Sequence, residues 1–125
     1  MKFNLLPPVF IFYVNKIDKY DITHGASYGF WITIVKRYKD DKGLLAHELE
    51  HAKQFYLHGL IIHKYLYKFW KYYRFWCELK AYARQWKVSN GDEKLKDLFV
   101  LRIELCYNLN YSRSYIKEKF NKLLN

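Results

Sequence analysis

The sequence predicts an α+β fold, a small N-terminal antiparallel sheet followed by a predominantly helical part, and three observations predict it. Residues 9–14 and 28–35 are runs of β-branched and aromatic residues, VFIFYV and YGFWITIV, the first closed by Asn15. From about residue 42 onward, apolar residues recur at helical rather than alternating spacing. With 125 residues, of which 51% are hydrophobic, the chain reads as one domain over residues 1–125 that can bury a core without staples.

Taken in order, the opening stretch MKFNLLPPVFIFYVNKI joins a lysine to an apolar run as a secretion signal does. Pro7 and Pro8 interrupt it, and no small-residue cleavage site follows, so it reads as mature protein. Asp18, Asp21, His24 and Gly25 mark turns between the two strands. The next element is a helix over residues 42–58, which Asp40 or Asp41 can cap and Gly59 can stop. Leu45, Leu49, Ala52 and Tyr56 align as its core stripe, while Glu50, Lys53 and Gln54 fall on the wet side. A longer helix is expected from Lys64 to Val88. Tyr65, Phe69, Tyr72, Tyr73, Trp76 and Ala83 share its core side, and Lys64, Lys68 and Lys71 share a stripe with Phe75, Glu78 and Tyr82. Ser89-Asn90-Gly91-Asp92 ends it. Two further helices follow over residues 93–109 and 112–124, joined near Asn108-Leu109-Asn110.

The first helix carries His47-Glu48-Leu49-Glu50-His51, an H-E-x-x-H pattern. One helical turn separates the two histidines, so both imidazoles can reach a single metal ion, and Glu48, about 100° round, can hold a water there. Lying between the core stripe and the wet side, the pair is expected at the lip of a cleft. A catalytic zinc takes three protein ligands and leaves a fourth position open, so a third ligand must come from elsewhere. Glu78 is the best placed: it follows His51 by one helix and one loop, and Ala81 beside it is small enough to let two helices approach closely. The plainer alternative is that Glu78 forms a solvated ion pair with Lys71 or Arg74. His58 shares the face of His51 but stands about 10 Å further along a straight helix, too far for shared coordination. His24 and His63 have no spacing argument as ligands.

His47-Glu48-x-x-His51 followed by Glu78-Leu79-Lys80-Ala81 resembles the gluzincin metallopeptidases, whose pattern is H-E-x-x-H with a downstream E-x-x-A or E-x-x-x-D helix. The small size is similar to their minimal soluble forms, phage-encoded zincin-like proteins among them. The resemblance covers roughly residues 28–88. It implies a bound Zn²⁺ held by His47, His51 and Glu78, with Glu48 as the base that takes a proton during attack on a peptide bond. It implies further that the strand from Gly29 to Val35, including Phe30, Trp31, Ile32 and Thr33, is the edge along which a peptide or protein substrate lies. The chain departs from the pattern at Tyr82, where many relatives carry an aspartate that orients a zinc histidine; a phenol can still hydrogen-bond an imidazole. Tyr82, Tyr107, Tyr111, Tyr115 and His63 are all open as oxyanion donors or as groups behind the ligands.

The net charge of +10 fits nucleic acid, an anionic surface or an acidic substrate, and most simply a soluble face. Basic and aromatic residues interleave from Lys64 to Trp76 as they do in grooves that stack bases, but helical spacing separates them onto different sides, which argues against nucleic acid; a membrane interface is a further, less expected reading of the same segment. A zinc-bound module without catalysis is the other rival, and Glu48 speaks against it. Cys77 and Cys106 make neither a disulfide framework nor a structural zinc ribbon, and no apolar run reaches the roughly 18 residues of a membrane span. A cytoplasmic setting is expected, in a host cell if the chain is virus-encoded, and oligomeric state is left open.

Overall fold

Three segments of β-branched, aromatic or small residues form the sheet: β1 (Phe10–Val14), β2 (Gly25–Ser27) and β3 (Trp31–Val35). The computed structural model describes residues 9–19 and 23–125, and orders the strands β1-β3-β2. β2 and β3 are an antiparallel hairpin about Tyr28-Gly29-Phe30, where Gly29 takes a φ of 89°. β1 lies on the other side of β3 and runs parallel to it, Phe10 opposite Trp31 and Val14 opposite Val35. The sheet is therefore mixed, not antiparallel as expected, because the hairpin forms with a third strand, Gly25–Ser27, in a stretch expected to be turns. The residues before Val9, Pro7 and Pro8 among them, and the turn residue Asp21 lie outside the described residues.

Five helices follow: α1 (Lys42–His58), α2 (Leu60–Phe69), α3 (Lys71–Val88), α4 (Glu93–Cys106) and α5 (Arg113–Leu124). α1 has the bounds expected of it. The Asp41 carboxylate accepts the Leu44 backbone N–H at 2.9 Å, and Gly59, with φ 83°, supplies a conformation that L-residues avoid. The single helix expected from Lys64 to Val88 is instead two, broken at Trp70, whose φ and ψ of −109° and 100° are extended. No proline or glycine marks the break. It is held by Arg74, whose guanidinium donates to the carbonyls of Tyr67 (2.8 Å) and Lys68 (3.1 Å) at the end of α2, and to those of Tyr107 (2.9 Å) and Asn108 (3.2 Å) after α4. The change of direction also overturns the expected core side, since Tyr65, Phe69, Tyr72 and Trp76 are exposed.

The core has two parts. Phe75, Leu79, Tyr82 and Ala83 of α3 pack with Phe99, Val100 and Ile103 of α4 and with Leu109, Ile116 and Phe120. On the other side Ile32 and Ile34 of β3 meet Ala52 of α1. α1 thus lies between sheet and helices, and its most extensive neighbour is α3. Its burial is not that of a simple apolar stripe: Leu49 is exposed, whereas His47, Glu48 and Gln54 are buried. Among the described residues no helix is long and apolar enough to cross a membrane.

Candidate metal centre

Where α1 crosses α3, His47, His51 and Glu78 bring one ligand atom each to within 4.8 Å of one another. His51 Nε2 stands 3.2 and 3.1 Å from the two Glu78 oxygens, and His47 Nε2 stands 3.6 Å from Glu78 Oε1. This is the only such group of three among the described residues. His58 is not part of it; its Nδ1 meets the Tyr73 hydroxyl at 2.7 Å instead.

Two side chains without a ligand role, Gln54 and Tyr67, hold this arrangement. Gln54 donates its amide N–H to the Cys77 carbonyl at 3.1 Å, which leaves its amide oxygen facing His51 Nδ1, also at 3.1 Å. That oxygen can only accept, so Nδ1 carries the hydrogen and Nε2 is the nitrogen free for a metal. Gln54 was expected on the wet side; it is buried because it ties α1 to α3 and fixes the His51 tautomer. Tyr67 of α2 donates its hydroxyl hydrogen to Glu78 Oε2 at 2.6 Å, leaving Oε1 toward both histidines. Only the break at Trp70 brings Tyr67 to this position, and no spacing in the sequence announces it. Gln54 was more accessible, since it follows His51 by three positions and so lies over the same helical face.

His47 is held differently. The Tyr82 ring lies edge-on to its imidazole, centroids 4.4 Å apart, while the Tyr82 hydroxyl pairs with that of Tyr107 at 2.8 Å. The phenol therefore packs against the imidazole without bonding to it, and among the described residues His47 Nδ1 is buried with no hydrogen-bond partner.

Charge reinforces the cluster. Burial alone would lower the His51 pKa, but the charge and hydrogen bond of Glu78 outweigh it and lift it to about 9. Burial alone would raise Glu78; the neighbouring His51 and His47 reverse that and hold its carboxyl well below the usual range. Glu48 is pushed upward, chiefly by burial, and its position is tight: a Cβ on Gly25 of β2 would come within 3.2 Å of Glu48 Cγ. Burial, with the charges of His51 and His58, lowers His63 to about 4.

The cluster lines a cavity of about 1280 Å³ that Glu48, His63, Tyr67, Tyr82 and Tyr107 also line. Of the other expected site residues, Tyr111 and Tyr115 pack on Phe75 in the helical core, with centroids at 4.9 and 5.8 Å, and do not reach it. The expected peptide edge at Phe30, Trp31, Ile32 and Thr33 is corrected outright. β3 is the central strand, paired on both sides; Ile32 is fully buried and Phe30 packs on Tyr56. The strand at the cavity is β2, with Gly25, Ala26 and Ser27 in its wall. Lys64 and Lys68 also line the cavity, joined by Arg102; Lys71 does not, and lies over the Tyr111 ring.

No protein-family model matches the chain, and neither does any curated protein or solved structure. The chemistry must therefore be read from the centre itself. Two imidazole nitrogens and a carboxylate, largely buried, pre-oriented and on the wall of the large cavity, are a donor set that could hold a metal ion. The Gln54 contact makes a specific demand. Gln54→Leu should weaken metal binding by about 10- to 100-fold, because His51 loses the acceptor that orients it; metal titration of the purified variant measures this, and an unchanged affinity would remove Gln54 from the site.

Proposed function

We propose that this protein is a zinc-dependent peptidase, with His47, His51 and Glu78 as ligands and Glu48 as the proton-transfer group. The observation that carries the reading is that α1 and α3 bring the H-E-x-x-H histidines and Glu78 together on the wall of a large cavity, with the Glu48 carboxylate buried beside them. A zinc ion held there would supply an acidified water and polarise a carbonyl.

The chain's own groups then divide the work. Glu48 takes the proton of the attacking water and later delivers it to the leaving amine, and burial, which raises its proton affinity, helps it hold that proton between the two transfers. Burial also raises the Tyr82 phenol, to about 12, and the Tyr107 phenol further still, so both keep their protons; as their hydroxyls pair, one donates to the other and leaves the second hydrogen for a developing oxyanion. His63 is neutral in the same pH range. The substrate backbone lies along β2, which ends the sheet and borders the cavity, rather than along β3.

Lys64, Lys68 and Arg102 give the cavity a positive wall, which raises the local concentration of anionic ligands. Acidic peptides should be cleaved with higher kcat/KM than matched basic ones. The preference should fade as salt shortens the screening length below about 10 Å. Peptide libraries, incubated with the protein at low and high salt, with and without chelator and after zinc is restored, test both points. Cleavage that persists in chelator overturns the zinc reading. Equal cleavage of acidic and basic peptides at low salt removes the lysines and Arg102 from recognition.

A further inference from the structure

Helix α2 turns one side inward and another outward, and the outward side is apolar. His63 and Tyr67 face the metal centre, whereas Ile61, Ile62, Tyr65 and Phe69 stand 73, 61, 62 and 70% exposed. Their spacing of i, i+1, i+4 and i+8 puts them on one arc of about 100°. Leu57 at the end of α1 and Trp70 at the break extend the same apolar surface, 66 and 52% exposed. A soluble helix ordinarily hides such a stripe, and a contiguous exposed one marks a binding face.

Charge identifies what the face meets. Between Glu50 and Glu78 the chain contains no acidic residue and has Lys53, Lys64, Lys68, Lys71 and Arg74. Lys64 and Lys68 flank the apolar arc, one helical turn apart, and Lys71 follows the break. An aliphatic and aromatic face beside a lysine row, free of acids, is the pattern of a helix that lies in the plane of an anionic bilayer surface. Two copies paired symmetrically through this face would set the lysine rows against each other with no carboxylate between them. A nucleic acid would meet the lysines but leave Ile61 and Ile62 without a partner. Ten residues of α2 span about 15 Å, half a bilayer core, so the helix lies on the membrane and does not cross it.

We infer that the outer face of α2 docks this protein on anionic membranes, with Ile61, Ile62, Tyr65 and Phe69 entering the interface and Lys64, Lys68 and Lys71 at the headgroups. Because Lys64 and Lys68 also line the cavity, docking holds its mouth close to the bilayer surface. The inference stands on exposure and charge, independently of hydrolysis at the metal centre.

Co-sedimentation of the full chain with phosphatidylcholine vesicles, with and without about one-third phosphatidylserine, tests it. Binding should require the anionic lipid and weaken with salt. Each lysine at such a surface contributes about a fivefold gain in partitioning, so Lys64→Gln, Lys68→Gln and Lys71→Gln together should lower binding on the order of a hundredfold. Ile61→Asn, Ile62→Asn and Phe69→Asn together should lower it at least about tenfold. Circular dichroism checks that each variant is folded, and either set alone decides the matter. Four results overturn the proposal: no vesicle binding, equal binding to both vesicle types, release of vesicles by a single-stranded oligonucleotide bound through Ile61 and Phe69, or a wild-type dimer that the asparagine variant dissociates without any vesicle binding.

Discussion

Glu48→Gln protein should take up one zinc per chain and cleave peptides about 10²- to 10⁴-fold more slowly than wild type. Glutamine has nearly the shape of glutamate, and the tight fit of residue 48 against Gly25 allows the one without disturbing the other. His47, His51 and Glu78 are untouched. What disappears is a carboxylate whose buried position raises its proton affinity. Zinc content measured beside turnover separates this from loss of the centre, and undiminished cleavage by a zinc-loaded Glu48→Gln protein would end the proposed mechanism.

Glu78→Ala and His51→Ala should instead lose the metal, and with it all metal-dependent activity. Each removes one of three ligands and leaves the others facing a buried gap. The same pair predicts how pH acts on the metal-free protein. His51 has a folded pKa raised to about 9 from an ordinary value of 6.5, so its contribution to stability is complete below 6.5 and is lost as pH rises toward 9. Glu78 is depressed from 4.5, so its contribution is complete above 4.5 and is lost as pH falls through its folded pKa. The pair therefore stabilises the metal-free chain most between about pH 4.5 and 6.5. A metal must displace the His51 proton, so its affinity should climb with pH up to about 9 and its binding should release a proton at neutrality. Urea denaturation of chelator-treated protein across pH, and metal titration in a weakly buffered dye solution, measure the two halves. Metal affinity that is flat from pH 6 to 9, a window set by the His51 shift, would contradict the pairing.

The elements that local chemistry determines were legible in the sequence. Asp41 and Gly59 bound α1, and Asn90, Asn108 and Asn110, all with positive φ, fall in the two predicted connections between helices. The convergence of His47, His51 and Glu78 was legible in part: the H-E-x-x-H spacing puts the two histidines on one helical face, while Glu78 rested chiefly on the resemblance to the E-x-x-A pattern. What failed depended on distant contacts. The break at Trp70 is made by four carbonyls converging on Arg74, two of them from beyond α4. Parallel pairing of β1 depends on a hairpin whose first strand is only three residues long. The reading of α1 placed Leu49 inside and Gln54 outside because a helical wheel sorts by hydrophobicity, and a site that buries His47, Glu48 and Gln54 reverses that order.

The ligands' places along the chain give the centre a second consequence. His51 and Glu78 are 27 positions apart, and the segment between them contains all of α2 and the bend held by Arg74. An ion bound at both ends works as a removable staple. By the chain-entropy scale used for cross-links, closing a loop of that length restricts the unfolded chain by about 3 to 4 kcal/mol. Withdrawing the ion would return that entropy to the unfolded chain and lower the stability of the fold as a whole, so a metal-loaded protein should resist denaturant better than the metal-free one.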